Sequence, residues 1–509
     1  MSEAPTQLPT SVVIPTVGRP SLRVLLDGLR RASGPRPAAI LVVDDGAEST
    51  ASGGSADIGR QVTDLGVPDT RVLSSGGRGP AAARNLGWRS ARTEWVSFLD
   101  DDVVPDDDWL LRLAEDLRDA AADTVGSQGR VRVPTPAGRR PTDWERSTAG
   151  LADARWITAD MSYRRSALAA VGGFDERFRR AFREDADVAL RVLGSGGRIV
   201  AGHRGITHPV RPADGWVSLR QQAGNADDAL MRRLHGPHWR ERAAAPRGRR
   251  RRHLAVTAAG LSALVLAASG RRRSAGVAAS AWLAGTVEFA AARILPGPRD
   301  RTEVRRMVLT SIAIPPAAAW HSALGWCRHR FAGPWRGLPD LVLFDRDGTL
   351  VYDVPYNGDP EQVQPVPGAR KALDRLRAHG VRLGVVSNQS GVGTGRITMA
   401  EVADVNSRIE ELLGPFETWQ ICPHAPDDDC SCRKPAPEMV TQACGELAVD
   451  PSRAVLVGDI GRDVDAAEAA GVVGILVPTP ATRRSEVLAA ATVVADLDGA
   501  VDRVLEGAW

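Results

Sequence analysis

The stretch Leu341–Leu350, LVLFDRDGTL, joins a short apolar run to two acidic residues and a turn. Its first four residues have the composition of a buried β-strand, and the Gly-Thr pair after the second aspartate predicts a turn. Groups at the carboxyl end of a strand in an open α/β sheet face the ligand crevice. Asp345 and Asp347 are therefore predicted to divide catalysis, one attacking an electrophile and the other handling the leaving group's proton. The alternative is a strand that ends in a solvated acidic turn.

Two later strand-like runs also end in polar residues. The first leads into Ser387 and Asn388, and a small hydroxyl at a strand end can bond a phosphate oxygen. The second leads into Asp459, which can complete a magnesium site opened by Asp345, because Mg²⁺ prefers carboxylates, waters and substrate phosphate. Asp463 is expected to orient neighbouring groups.

The cysteines indicate a metal site in a reducing compartment better than they indicate disulfides. Three of the five lie within eleven residues and have a histidine beside them; the set is Cys422, His424, Cys430 and Cys432. Three thiolates and one imidazole make a closed tetrahedral Zn²⁺ site, which is structural because no position is left for water. We expect the loop to deliver Arg433 and Lys434 to the site. Accidental clustering is the alternative.

In this order, DRDGTL, SNQSG, CPH…CSCRKP and GDIGRD resemble the haloacid dehalogenase (HAD) superfamily, and the cysteine loop resembles the heptose bisphosphate phosphatase and histidinol-phosphatase branch. The resemblance implies Mg²⁺-dependent hydrolysis of a small sugar phosphate, with a heptose bisphosphate favoured. It implies that Asp345 forms an aspartyl-phosphate and that Asp347 acts as general acid and then base. The implied substrate-binding residues are Ser387, Asn388, Arg433 and Lys434, and the implied magnesium ligands are Asp345, Asp347 and Asp459.

Apolar runs also end in carboxylates in the first part of the chain. Ile40–Val43 precedes Asp45, and Trp95–Leu99 precedes Asp100 and Asp102. Carboxylates at successive strand ends of one sheet converge on one crevice. An Asp-x-Asp motif there suits a divalent ion that bridges a diphosphate, since hard cations take oxygen ligands.

The series SVVIPTVGRP, VVDDG, GPAAARNLG, FLDDD and FREDADVALRV resembles the family 2 glycosyltransferases of the GT-A fold. The resemblance implies inverting transfer from a nucleotide-diphosphate sugar to an acceptor that the sequence does not identify. Asp185 would be the general base; without the resemblance, it is equally an acidic helix N-terminus favoured by the macrodipole. The other implied residues are Asp45 at the nucleotide, Asp100 and Asp102 at Mg²⁺ or Mn²⁺, and Arg84 and Asn85 at the donor pocket.

Arginine clusters and apolar runs alternate in the middle of the chain. The runs are Leu254–Ser269, Ala275–Ala292, which is broken by Glu288, and Met307–Trp320, which is broken by two prolines. A bilayer span needs ~20 apolar residues, and arginines on both sides of the first run conflict with a simple hairpin under the positive-inside rule. We expect interfacial or re-entrant helices that contact a membrane surface through residues 240–330. A soluble helical linker is the alternative.

Composition and length predict two or more globular domains, since 509 residues with 43% hydrophobic and 25% charged content can bury several cores. The net charge of +3 gives no argument for nucleic acid. The first twenty residues lack the pattern of a secretory signal, so we expect a cytoplasmic protein, in contact with the cytoplasmic face of the membrane.

We therefore predict two separate α/β domains joined by a helical, partly apolar segment. The transferase domain is assigned to residues 1–230, the helical segment to 231–337 and the phosphatase domain to 338–509. Two rival functions stay open: a histidinol-phosphate phosphatase fused to an unrelated glycosyltransferase, and a chain in which one domain acts only as a binding module.

Overall fold

The chain forms two compact units, Met1–Gly333 and Pro334–Trp509. The helical segment predicted over 231–337 thus belongs to the first unit, together with the region predicted as the transferase domain. The computed structural model describes residues 7–46, 58–59, 62 and 69–509.

The helical segment is joined to the transferase region by close packing across the predicted boundary. The helix Asn225–His235 packs against the helix Arg301–His329. A Cβ atom on Gly325 would lie 2.5 Å from Cα of Ala226, so the two helix backbones approach too closely for any larger residue at 325.

The first unit is built on an eight-stranded mixed sheet in the order β3-β2-β1-β4-β7-β6-β8-β5. Strands β1 to β4 are mutually parallel neighbours, and β7 runs antiparallel between β4 and β6. Apolar side chains on both faces form separate cores against the flanking helices. The strands are β1 Gln7–Thr16, β2 Arg36–Asp44, β3 Asp69–Ser74, β4 Trp95–Leu99, β5 Val104–Pro105, β6 Thr124–Arg132, β7 Asp160–Arg164 and β8 Arg198–Thr207.

The helices of this unit cover the sheet and continue into the arginine-rich segment. Those up to residue 242 are Ser21–Arg31, Pro80–Ser90, Trp109–Arg118, Asp143–Ala149, Arg165–Ala170, Glu184–Gly194, Val217–Arg220, Asn225–His235 and Trp239–Arg242. The three long helices that follow are Arg250–Ala268, Arg272–Ile294 and Arg301–His329.

The third long helix runs through Pro315 and Pro316, the two prolines that interrupt the apolar run Met307–Trp320. Each proline removes one main-chain donor from the helix. Residues on both sides of the prolines, including Met307 and Ala318, are buried, so tertiary packing outweighs the local cost. By length and composition alone, Arg272–Ile294 and Arg301–His329 are long and apolar enough to cross a membrane.

The second unit is a parallel five-stranded sheet in the order β11-β10-β9-β12-β13. Its strands are β9 Leu341–Phe344, β10 Arg382–Asn388, β11 Thr418–Cys422, β12 Ala454–Gly458 and β13 Val473–Leu476. Its helices are Ala369–Ala378, Ser390–Gly393, Met399–Leu413, Glu438–Glu446, Gly461–Ala469, Arg484–Ala489 and Leu497–Leu505. The central strand β9 is buried and lies between β10 and β12, so the carboxyl ends of these three strands meet in one crevice.

Candidate active sites

Three carboxylates and one ammonium group meet at the end of β9. Asp345 follows this strand, and its backbone N–H donates to the carbonyl of Val457 in β12 (2.9 Å). Asp345, Asp459 and Asp463 offer oxygen atoms that all lie within 4.8 Å of one another. Lys434 bridges two of them: its Nζ donates to Asp345 and lies 2.6 Å from Oδ1 of Asp463. Because Mg²⁺ favours oxygen ligands, this cluster suits that ion; it contains the predicted ligands Asp345 and Asp459, but Asp463 takes the place of the predicted Asp347.

Burial and mutual repulsion control the protonation of the cluster. Burial raises the pKa of Asp345 well above its ordinary value; Lys434 opposes the shift, and the neighbouring carboxylates add to it. Burial and the charge of Asp463 raise the pKa of Asp459 to about 6. Burial alone would lower the pKa of Lys434, but Asp345 and Asp463 outweigh it and raise that pKa. The lysine is therefore a permanent cation.

Asp347 is held beside the phosphate-binding strand end. Its Oδ2 accepts hydrogen bonds from Nε of Arg346 (3.0 Å) and Nε2 of Gln389 (2.8 Å). The same Gln389 amide donates to Oγ of Ser387 (2.8 Å). Sequence reasoning missed Arg346 and Gln389, although the first lies between the two aspartates and the second lies within SNQSG.

Asn388 clamps the loop that carries Lys434. Its Oδ1 accepts from the backbone N–H of Lys434 (3.1 Å), and its Nδ2 donates to the carbonyl of the same residue (3.2 Å). The sequence predicted substrate binding by Asn388, whereas its amide is engaged in positioning the lysine. Arg433 directly precedes Lys434, and its Nη1 atom lies 3.4 Å from the carbonyl oxygen of His424.

A glycine and two threonines shape the surroundings of Asp459. Gly348 has φ +87°, and a Cβ atom there would overlap the Asp459 carboxylate. Oγ1 of Thr349 and of Thr479 lie 3.5 and 3.4 Å from the carboxylate oxygens. The glycine of DRDGTL is thus required both for the turn and for the space that Asp459 occupies.

The predicted zinc ligands converge. The Sγ atom of Cys422 lies 3.2 Å from that of Cys432 and 3.7 Å from that of Cys430, and Nδ1 of His424 lies 3.2 Å from Sγ of Cys432. Zinc ligands ~2.3 Å from a tetrahedral centre lie about 3.8 Å apart, and the four atoms here all lie within 4.8 Å of one another, so the set could hold a metal ion of that size. All the cysteines are free thiols.

In the first unit, Asp45 lies between two strand ends. Its Oδ1 accepts from Oγ of Ser75 (2.7 Å) and from the backbone N–H of Gly79 (3.1 Å). These bonds connect the end of β2 to the glycine-rich loop before the helix Pro80–Ser90, and the carboxylate remains partly exposed. The nucleotide contact expected of Asp45 stays a prediction.

Arg84 connects the Asp-x-Asp motif to the acidic pair. It is 2% exposed, with Nη2 2.8 Å from Asp100 and Nη1 2.9 Å from Glu184. Asn85, predicted with it at the donor pocket, is fully buried and bonds to Phe174, Glu176 and Trp88. Asn85 therefore holds a neighbouring loop and offers no free polar atom to a ligand.

Asp102 faces two basic side chains that the sequence analysis did not assign. Nε of Arg211 lies 2.7 Å from its Oδ2, and Nε2 of His208 lies 3.6 Å from the same oxygen. Burial raises the pKa of Asp102, and His208 opposes that shift. Asp102 thus lies between two basic groups, and Asp100 pairs with Arg84; the binding of Mg²⁺ or Mn²⁺ by the two aspartates stays a prediction.

Asp185 occupies the first turn of the helix Glu184–Gly194, as both readings of the sequence required. Its Oδ1 accepts from the backbone N–H of Ala186 (2.7 Å), and burial raises its pKa. Burial and the neighbouring Asp185 raise the pKa of Glu184 to about 8. A carboxylate of raised pKa beside the metal-binding motif has the basicity that proton abstraction needs.

Comparison with known proteins assigns both units. Residues 11–186 match the model of glycosyl transferase family 2, and residues 431–500 match the HAD-hydrolase-like model. The D-glycero-beta-D-manno-heptose-1,7-bisphosphate 7-phosphatase of Pseudomonas aeruginosa is 35% identical over 144 residues, which are 27% of this chain and 81% of the relative. The C-terminal unit belongs to the heptose bisphosphate phosphatase family.

A second relative and a solved structure are also similar to the C-terminal unit. The Pasteurella multocida enzyme of the same name is 34% identical over 145 residues, 26% of this chain and 79% of that protein. The magnesium and phosphate complex of the D,D-heptose 1,7-bisphosphate phosphatase from B. bronchiseptica is 28% identical, covering 33% of this chain and 98% of that one, with a TM-score of 0.31. Both resemblances inferred from the motifs are confirmed.

The first unit carries a family 2 glycosyltransferase domain. A mannosyltransferase from Pyrobaculum calidifontis, solved with GDP-Man and Mn²⁺, is 19% identical over 62% of this chain and 86% of its own, with a TM-score of 0.39. The chain thus joins a glycosyltransferase domain to a member of the heptose bisphosphate phosphatase family on one polypeptide.

Proposed function

We propose that the C-terminal unit hydrolyses a small sugar phosphate, with a heptose bisphosphate as the favoured substrate. The buried cluster of Asp345, Asp459, Asp463 and Lys434 carries this proposal, because it combines a nucleophile, metal-ligating oxygens and a fixed cation. The family membership supports the choice of sugar. Histidinol phosphate is the competing substrate.

In the proposed mechanism, the carboxylate of Asp345 attacks phosphorus and forms an aspartyl-phosphate as the P–O bond to the sugar breaks. Asp347 gives its proton to the departing sugar oxygen and then takes a proton from the water that hydrolyses the intermediate. Lys434 neutralises charge on the transferring group, and Ser387 donates to a phosphate oxygen. Bound Mg²⁺, held by Asp345 and Asp459, would supply further charge neutralisation.

The test is phosphate release from a panel of small phosphorylated sugars and histidinol phosphate, with added Mg²⁺. We expect a heptose bisphosphate to be the best substrate, and Asp345→Asn to abolish turnover while substrate binding survives. Asp347→Asn should slow the reaction by on the order of 10²-fold. Near-normal release by Asp345→Asn would exclude the covalent mechanism, and preference for histidinol phosphate would exclude the heptose assignment.

We also propose that the four-ligand cluster near Lys434 binds a structural zinc ion. Elemental analysis should find about one zinc per chain. Cys430→Ser should lower the zinc content and reduce phosphatase activity by loosening the loop that carries the lysine, whereas Cys444→Ser, outside the cluster, should keep the zinc. Protein purified without chelators that contains no zinc would contradict this assignment.

For the first unit, we propose metal-dependent, inverting transfer from a nucleotide-diphosphate sugar, with Asp185 as the base that deprotonates the acceptor hydroxyl. Calorimetry with a panel of nucleotide sugars and Mg²⁺ or Mn²⁺ tests the donor site. Asp102→Ala should weaken donor binding, while Asp185→Asn should keep donor binding and remove transfer. Absence of metal-dependent binding to every donor would contradict the proposal.

We further propose that the protein works in the cytoplasm, in contact with the cytoplasmic face of a membrane through residues 240–330. The long helices rich in exposed apolar side chains, with arginine clusters between them, support this location.

A further inference from the structure

The first two long helices form a hairpin, Arg250–Ile294, whose outer surface is apolar and exposed. Its large exposed side chains are 40–74% accessible: Leu254, Leu261, Leu264, Val265, Val277, Leu283 and Val287. Soluble surfaces rarely present so many large apolar side chains together. A contiguous surface of this kind is typical of a binding or membrane-contact site.

The two helices of the hairpin are locked together by small residues. A Cβ atom on Gly285 would lie 2.5 Å from Cγ2 of Val256, and one on Gly260 would lie 2.9 Å from Cδ1 of Trp282. The inner side of the hairpin packs on the helix Arg301–His329. One broad face is thus covered by protein, and the opposite face is open.

Charge identifies the kind of partner. Nine arginines and a single acidic residue, Glu288, lie between residues 247 and 294. Glu288 pairs with Arg249 and Arg252 at the end of the hairpin that joins the rest of the unit. These two arginines neutralise the charge of the carboxylate. Arg271, Arg272 and Arg273 form the opposite end and are exposed. Exposed apolar surface between two arginine clusters is complementary to an anionic phospholipid surface.

Although the helix Arg272–Ile294 is long enough to cross a membrane, the stretches of the hairpin that carry no charge are too short to do so. Sixteen uncharged residues, 254–269, and fourteen, 274–287, separate the charged ends. At ~1.5 Å per residue they reach about 24 and 21 Å, whereas the hydrocarbon core of a bilayer is ~30 Å thick. If the hairpin entered the bilayer perpendicular to the membrane surface, Arg271, Arg272 and Arg273 would lie inside the hydrocarbon, which is costly. A hairpin that lies parallel to the membrane surface keeps both arginine clusters at the lipid phosphates.

A groove of about 510 Å³ at the base of the hairpin fits the same partner. Ala259, Ala281 and Phe289 form apolar parts of its wall, and Arg249 and Arg252 line it as well. The apolar wall suits an acyl chain, while Glu288, which also lines the groove, pairs with both arginines.

We propose that the hairpin Arg250–Ile294 is an in-plane membrane anchor, which lies in one leaflet and binds anionic phospholipid through the arginines at its two ends. The inference rests on the membrane contact of the proposed function and gives it a geometry. The anchor is tied to two other helices of the first unit, because Arg293 bonds to Asp143 (2.7 Å), to Thr310 (2.7 Å) and to Ser311 (3.1 Å).

Flotation of the full-length protein with vesicles tests the partner. Vesicles of phosphatidylcholine mixed with phosphatidylglycerol should carry the protein, and pure phosphatidylcholine should carry much less. The triple variant Arg271→Glu, Arg272→Glu, Arg273→Glu should bind on the order of 100-fold more weakly. The double variant Leu264→Asp, Val277→Asp should also lose binding, whereas Leu488→Asp, which changes an equally exposed leucine in the other unit, should bind as the parent does.

Labelling tests the geometry. In a Cys327→Ser background, Ser269→Cys places a thiol at the far end of the hairpin. On protein bound to preformed vesicles, a membrane-impermeant maleimide should label it from outside; protection until detergent is added would overturn the in-plane geometry. Failure to float with anionic vesicles would overturn the anchor itself. Donor calorimetry and phosphate release on the same preparation separate this failure from failure of the proposed activities.

Discussion

Nζ of Lys434 lies 2.6 Å from Oδ1 of Asp463, and both side chains are buried. The pair forms a support behind the nucleophile, because the same ammonium group also donates to Asp345. Asp463 was expected from the sequence to orient neighbouring groups, and this contact specifies the group as the lysine. Lys434 is therefore the counterion of a crowded acidic site, and the phosphate contact that we propose for it would be a second role.

Replacing this lysine should damage both activity and stability. Lys434→Met leaves three buried carboxylates without their cation, so phosphate release should fall by on the order of 10²-fold or more, and the free energy of unfolding should drop by roughly 3–5 kcal/mol. Phosphate assay and urea unfolding measure the two effects. Lys371→Met, which changes the exposed second lysine of the chain, is the matched control. Equal stability of the two variants would contradict the counterion role.

Magnesium affinity of the phosphatase should depend on pH. The pKa of Asp459 is about 6, and a proton on this carboxylate competes with the metal. Below pH 6 the apparent affinity should fall by up to about ten-fold per pH unit, and well above that pH it should level off. In metal-free protein the raised pKa has the opposite consequence: stability falls as pH rises through about 6, because the fold favours the neutral acid. Titration calorimetry at several pH values would reject this if affinity stayed constant from pH 5 to 7.

Gly348→Ala should impair the magnesium site specifically. The new methyl group would overlap the Asp459 carboxylate, in addition to the backbone strain at φ +87°. Gly380→Ala is the matched control, since Gly380 has φ +70° and no atom within 4 Å of the added carbon. The control should cost only about 1 kcal/mol of stability, while Gly348→Ala should also weaken Mg²⁺ binding. Similar metal affinities in both variants would show that the space beside Asp459 is unimportant.

Much of the site was predictable because strand ends and motif order carry strong signals. Asp345 and Asp459 follow buried apolar runs, and the spacing of Cys422 to Cys432 fits a zinc loop before any geometry is known. The sequence did not reveal which polar side chains use their hydrogen bonds within the protein. Asn388 and Asn85 looked like binding residues, yet hydrogen bonds to distant backbone atoms engage both amides.

The continuity of the third long helix through its two prolines was also not predictable from the sequence. Pro315 and Pro316 disfavour helix locally, but packing on the helix Asn225–His235 is a tertiary term that no local pattern contains. The same packing places residues 231–333 in the first compact unit, and the second unit begins at Pro334, close to the predicted start of the phosphatase domain at residue 338.

Arg84→Lys should weaken the metal-dependent donor site. The guanidinium uses two different nitrogens for Asp100 and Glu184, which one ammonium group cannot reproduce in the same geometry. We expect donor affinity in the presence of Mn²⁺ to fall by on the order of ten-fold, with a smaller effect in EDTA. Arg92→Lys, on the exposed surface, is the control. Equal losses with and without metal would assign Arg84 a general structural role instead.

The transferase unit should be separable from the phosphatase only at the observed boundary. A fragment ending at Leu230 cuts within the helix Asn225–His235 and removes Met231 and Trp239 from a buried cluster that also contains Phe178 and Leu190. Losing the buried tryptophan alone should cost roughly 3–5 kcal/mol. A fragment ending at Gly333 keeps this cluster and the packing of Arg301–His329. In the same mild detergent, the longer fragment should bind a nucleotide sugar in the presence of metal. It should also unfold at a higher urea concentration than the shorter fragment. The fragment Pro334–Trp509 should retain phosphate release. Equal urea midpoints for the two transferase fragments would contradict the assignment of the long helices to the transferase unit.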